Sequence, residues 1–108
     1  MYKIYWCNLG KAVGNPEVGV RPIVSTGIVD GKVKVFQITS RNRNDRYHVR
    51  MNHYMVRGFC CMSGYYLIDK KYLMYYCRDC TTSEIEAIDN KIKEVKPWCK
   101  NPWCKSKR

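Results

Sequence analysis

The stretch Glu17 to Ser40 constrains this chain more than any other. A loop ends in the step Arg21-Pro22 and runs into an apolar strand, residues 20 to 25. A Gly-containing turn, Ser25-Thr26-Gly27, follows, and then Asp30-Gly31, a strong hairpin signal because both residue types tolerate positive φ. Beyond it, residues 32 to 40 read as a second strand that ends in Thr39-Ser40. Val33, Val35 and Gln37 fall on one face, and Lys32, Lys34, Phe36 and Ile38 on the other. That pattern suits a strand buried on both sides near its end. Two antiparallel neighbours joined this way bring Arg21 and Thr39 to one end of a small sheet. A guanidinium beside a hydroxyl is suited to holding a phosphodiester.

The remaining chain is read around this hairpin. Residues 2 to 9 form an aromatic-rich opening strand. Residues 10 to 19 carry Gly10, Gly14, Gly19 and Asn15-Pro16, and read as a flexible loop. Residues 41 to 46 are a polar basic loop, and 47 to 51 alternate as a strand. Residues 53 to 68 give one or two more strands, Asp69-Lys70-Lys71 a bend, and Tyr72 to Tyr76 another strand. The convincing helix starts near Thr82-Ser83, with either residue as cap and Glu86 three residues after Ser83, as a capping box requires. Ile85, Ile88, Ile92 and Val95 share one face, and Pro97 ends the helix. The expected fold is mostly β: a small SH3-like antiparallel barrel with a C-terminal α-helix. Its domain spans residues 1 to 96, and residues 97 to 108 form a basic tail containing Cys and Trp.

Charge narrows the partners. The chain has 20 Lys and Arg against 9 Asp and Glu, a net charge of +11. That excess predicts a polyanion, most simply nucleic acid, RNA or DNA, though an acidic protein or an anionic membrane would also be attracted. Its length of 108 residues suits one domain. No apolar run reaches the ~20 residues that span a bilayer, and the N-terminus does not read as a secretory signal. The expectation is a cytoplasmic protein without a membrane partner. Its seven cysteines then read as thiols rather than a disulfide framework.

Several residues are candidates for chemistry. Arg21 suits a phosphate and the extra negative charge of a phosphoryl-transfer transition state, and Pro22 holds it extended. The hydroxyls of Thr39 and Ser40 can orient a phosphate or ribose oxygen. His48 and His53 are the only histidines, and a histidine pair can serve as base and acid in RNA cleavage. Five apart in one strand, they would face opposite sides. Cys77-x2-Cys80 with Cys99-x4-Cys104 is a permissible but loose four-thiolate zinc spacing. Asp69 is either a base near a ribose or a bend residue paired with lysine.

The string Gly14-x2-Glu17-x-Gly19-x-Arg21-Pro22, with Val35-Phe-Gln-Ile-Thr39-Ser40 after it, resembles the MazF/PemK family of toxin endoribonucleases. Gly64 to Asp69 and the last helix fit the family's second half, so the resemblance covers roughly residues 5 to 95. It implies an SH3-like barrel, a homodimer, and cleavage of single-stranded RNA with no metal or other cofactor. Arg21 and Thr39 match the recurring catalytic positions; Glu17, Ser40 and Asp69 would support them. Some members carry an Arg two residues before the aspartate, where this chain has Leu67. Lys34, Arg41, Arg43 and Arg46 would hold the RNA backbone, and an acidic antitoxin would cover the groove. The expected function is the toxin of a type II toxin–antitoxin pair, cutting mRNA by attack of the 2′-hydroxyl. The alternatives are a non-catalytic nucleic-acid-binding module stabilised by zinc, and an SH3-like module that binds an acidic protein.

Overall fold

The computed structural model describes residues 2–41, 45–52 and 57–102. Strand β1 (Lys3–Asn8) is followed by a short helix α1 (Leu9–Val13), then by β2 (Val20–Val29) and β3 (Lys32–Thr39). Next come β4 (His48–Asn52), β5 (Arg57–Cys61) and β6 (Gly64–Ile68). A single 3-10 turn (Lys70–Tyr72) leads to β7 (Leu73–Asp79), helix α2 (Thr82–Val95) and β8 (Trp98–Cys99). The strands pair in the order β4-β5-β3-β2-β1-β7, with β6 on β3 and β8 on β6. The architecture is thus the expected mostly-β fold with a C-terminal helix. The sheet curls without closing, and its β6–β8 pair is parallel.

Strand β3 organises the sheet. Val33 to Val35 pair with β6, and Ile38 and Thr39 pair with β5. Both of its faces are covered, which explains why Val35 and Phe36 are buried in succession. Two cores result. Phe36 and Ile38 pack with Ile4, Val24, Cys60, Met62 and the Ile88–Val95 face of α2. Val33 and Val35 pack with Cys7, Leu9, Val13, Ile23 and Ile68 on the α1 side. Each large side chain buried this way contributes about 1.5–3 kcal/mol.

Three local expectations need correction. The segment 10 to 19 is not all loop, because α1 occupies its first half. Asn8 caps that helix through its side chain, and Gly14 ends it in the left-handed region, so a stretch rich in turn residues still holds one helical turn. The apolar strand does not stop at Ser25: β2 runs on to Val29, and Ser25-Thr26-Gly27 is a bulge within it. Helix α2 is capped by Thr81, not Thr82 or Ser83, and its capping box closes with Glu84 rather than Glu86. Thr81 and Glu84 have the same spacing as Ser83 and Glu86. The ion pair between Glu84 and Arg78, at 2.7 and 2.9 Å, selects the earlier frame.

The segment after Pro97 returns to the sheet. Trp98 and Cys99 pair with Gly64 and Tyr65, and the buried Asn101 side chain bonds both backbone groups of Leu67 at 2.8 and 2.9 Å. At the other terminus the Tyr2 hydroxyl donates to the Asp89 carboxylate on α2. Among the described residues no helix is long and apolar enough to cross a membrane.

Candidate active site

The approach to Arg21 is set by backbone geometry. Gly19 has φ 71°, a left-handed conformation that glycine adopts without penalty, and it turns the chain from the α1 loop into β2. The Gly10 amide donates to the Gly19 carbonyl at 3.0 Å, tying loop to helix. Arg21 then enters the strand opposite Cys7 of β1, exposed, with Nη1 donating to the Val20 carbonyl at 3.1 Å.

The bulge decides which residue Arg21 meets. Asp30 and Gly31, at φ 51° and 77°, form the two-residue turn, so Val29 pairs with Lys32 and Gly27 with Lys34. Continued without interruption, that register would set Arg21 against Ser40. Thr26 is the extra residue of the bulge, and beyond it Ser25 pairs with Val35 and Ile23 with Gln37. Carried two residues further, the shifted register sets Arg21 across from Thr39. Directly opposed residues share a face of the sheet.

That face opens into a cavity of about 420 Å³ lined by Arg21, Gln37, Thr39, Arg41, His48, Cys61 and Lys100. Four strands and the C-terminal segment contribute to it. Thr39 is oriented by its own turn: its hydroxyl oxygen accepts from the Arg41 amide at 3.2 Å, which leaves the hydroxyl proton to donate. His48 lies opposite Cys61 in the β4–β5 register, and its Nδ1 is 2.6 Å from Asp45 Oδ1. Lys100 Nζ donates to the Cys61 sulfur at 3.6 Å, and the Ser63 hydroxyl is 3.2 Å from the same sulfur. Burial pushes the Cys61 thiol up, but its Ser63 hydrogen bonds and the Lys100 charge together bring it below the ordinary thiol value. The cavity therefore favours anions, because Arg21, Arg41 and Lys100 line it.

No protein-family model matches the chain, and no curated protein shows significant sequence similarity to it. Solved structures do match. A mycobacterial endoribonuclease in complex with its cognate antitoxin superposes with a TM-score of 0.73 at 17% identity, covering 88% of this chain and 91% of that one. The fold is MazF-like. A second mycobacterial endoribonuclease gives a TM-score of 0.70 at 16% identity over 95% of this chain and 92% of that one. MazF from Deinococcus radiodurans gives 0.72 at 16% identity over 88% and 93%.

Within this MazF-like fold the residues expected at the site separate. Arg21, Thr39 and Arg41 line one cavity. Glu17 is exposed in the turn after α1, its amide donating to Asn15 Oδ1 at 3.2 Å, and is not among the lining residues. Ser40 is exposed just past the end of β3. Asp69 caps the 3-10 turn by accepting from the Lys71 amide at 3.1 Å, the bend role read as one of its two possibilities. Lys34 stacks on the Tyr65 ring at 4.4 Å, and Arg46 on Tyr47 at 5.2 Å. Arg43, His53 and Cys104 lie outside the described residues. Among the described residues no three His, Cys, Asp or Glu side chains are grouped to hold a metal; Cys80 packs in the core and Cys99 bonds Asn101.

The sequence did not point to Gln37, Cys61 or Lys100. Gln37 carried a usable signal, since it shares a β3 face with Thr39 two residues away. Cys61 and Lys100 carried none, because their place follows from long-range pairing of β5 and β8.

Proposed function

We propose that this protein is an endoribonuclease toxin that cuts single-stranded RNA at the cavity between Arg21 and Thr39. The observation that carries the reading is the bulge-shifted register, which sets that guanidinium and that hydroxyl on one face of a cationic cavity. The MazF-like fold supports it independently.

The ribose 2′-hydroxyl attacks the adjacent phosphorus and leaves a 2′,3′-cyclic phosphate end. Arg21 stabilises the charge that builds on the phosphoryl oxygens, where a fixed cation acts most strongly. Thr39 donates its hydroxyl proton to one of those oxygens. Arg41 and Lys100 hold the flanking phosphates, and exposed Tyr47 offers a ring on which an unpaired base stacks for ~1–3 kcal/mol. The chemistry runs on these side chains without a metal. The protein works in the cytoplasm as a homodimer. One of the matching solved structures holds an endoribonuclease with its cognate antitoxin, and an acidic antitoxin segment fits the +11 charge of this chain.

The test is cleavage of a single-stranded RNA in excess chelator, with the products examined for cyclic phosphate. Arg21→Ala is expected to lower kcat by about 10²–10³-fold. An Arg21→Ala protein as active as wild type would remove Arg21 from the mechanism.

A further inference from the structure

Attack by a 2′-hydroxyl needs a group to take its proton, and neither Arg21 nor Thr39 does this well. A guanidinium is always protonated, and an unassisted threonine hydroxyl is a poor base. Among the residues lining the cavity, one imidazole is already oriented by a carboxylate. We infer that His48 is the general base of RNA cleavage and that Asp45 is its positioning residue, an inference that rests on the endoribonuclease reading above.

Three observations carry it. First, His48 lines the same cavity as Arg21 and Thr39, although it comes from β4, on the far side of β5 from β3. Second, its Nδ1 lies 2.6 Å from Asp45 Oδ1. A carboxylate accepts a hydrogen bond only from a protonated ring nitrogen, so the Nδ1–H tautomer is the one held, and Nε2 carries the lone pair. Third, the geometry is fixed on both sides. The Asp45 Oδ1 that meets the ring also accepts from the Tyr47 amide at 2.9 Å, while the Tyr47 carbonyl accepts from the Met62 amide at 2.7 Å. The imidazole side chain is 12% exposed, enough to reach substrate yet sheltered from bulk water.

The step balances as follows. The 2′-O–H bond breaks, its proton moves to Nε2, and its electron pair forms the O2′–P bond. The P–O5′ bond breaks, and the 5′-oxygen takes a proton from water. His48 becomes an imidazolium beside the Asp45 carboxylate, which stabilises the new charge, and then returns its proton to solvent. The other charged or titratable groups facing His48 across the cavity are Arg21, Arg41, Lys100 and the Cys61 thiol. The three cations disfavour the imidazolium, and Asp45 opposes them.

The test compares wild type, His48→Gln and Asp45→Asn for kcat, RNA affinity and the pH dependence of kcat, with Arg21→Ala alongside. His48→Gln is expected to lower kcat by about 10²–10⁴-fold with RNA affinity within about twofold of wild type. It should also abolish the rising acid limb of the kcat profile. Asp45→Asn should retain that limb but displace it to lower pH, a change that a merely structural carboxylate would not produce. Added imidazole should restore part of the activity of His48→Ala, which separates lost chemistry from lost folding. His48→Gln with wild-type kcat, while Arg21→Ala is inactive, overturns the inference and leaves the endoribonuclease reading intact. A wild-type protein that leaves every RNA uncut overturns both.

Discussion

At the scale of single residues, the placing of Thr39 in the cavity with Arg21 depends on a glycine outside the lining. Gly58 of β5 sits beside Thr39 in the β3–β5 ladder at φ 152°, and a Cβ built there would lie 2.3 Å from the Thr39 carbonyl oxygen. That oxygen belongs to backbone and cannot rotate away. Gly58→Ala must therefore move the end of β3 that carries the Thr39 hydroxyl. The expected cost is about 1–3 kcal/mol in urea unfolding, together with a fall in RNA cleavage of at least about tenfold. Gly27→Ala is the control, since nothing lies within 4 Å of its added carbon. Equal activity in the two variants would show that Thr39 is not held by this contact. The residues at stake were legible in the sequence because Asp30-Gly31 announces the hairpin and Arg21 and Thr39 mark its open end. The bulge that opposes them was not, since Ser25-Thr26-Gly27 has the composition of a turn as much as of a bulge.

At the scale of elements, β8 brings the cavity a cation that no local pattern announces. Its two residues are too short to show a period, whereas α2 was legible from Ile85, Ile88, Ile92 and Val95. What docks β8 is Asn101, which mimics a strand partner by bonding the Leu67 amide and carbonyl at once. The Lys100 amide donates to the Tyr65 carbonyl at 2.8 Å, and its ammonium reaches Cys61. Asn101→Leu would leave both Leu67 groups unpaired beneath the segment. A loss of about 1–3 kcal/mol is expected in urea unfolding. The release of Lys100 from the cavity should also weaken RNA binding and flatten its salt dependence by about 0.7 in log–log slope, the share of one phosphate contact. Lys100→Ala should reproduce the change in slope without the loss of stability. Unchanged slopes in both variants would place Lys100 outside the RNA path.

At the scale of the whole molecule, the thiols and tyrosines give the fold a one-sided dependence on pH. Burial pushes Cys7 and Cys80 up to about 11 and holds Cys60 well above its ordinary value. Burial and the Asp89 hydrogen bond push Tyr2 up to about 12. These groups lie in both cores: Cys7 packs in the α1-side core, while Cys60, Cys80 and Tyr2 pack in the core that includes α2. Each folded value lies above the unfolded one, so the stability each contributes is fully present below the unfolded value and is lost as pH rises through the folded one. For Cys7 and Cys80 the loss runs from about pH 9 to about pH 11, and for Tyr2 from about pH 10 to about pH 12. Cys61 has the opposite sign, because its lowered value adds stability as pH rises, but it stands against these four and against Cys77 and Tyr66, which burial also raises. Under reducing conditions the urea midpoint should therefore be level from pH 7 to 8 and fall steadily up to pH 11. Tyr2→Phe should make the fall above pH 10 shallower without abolishing it, since phenylalanine keeps the ring and loses the titration while the thiols still ionise up to about pH 11. A midpoint that holds or rises between pH 9 and 11 would mean that the buried thiols ionise as readily in the folded chain as in the unfolded one.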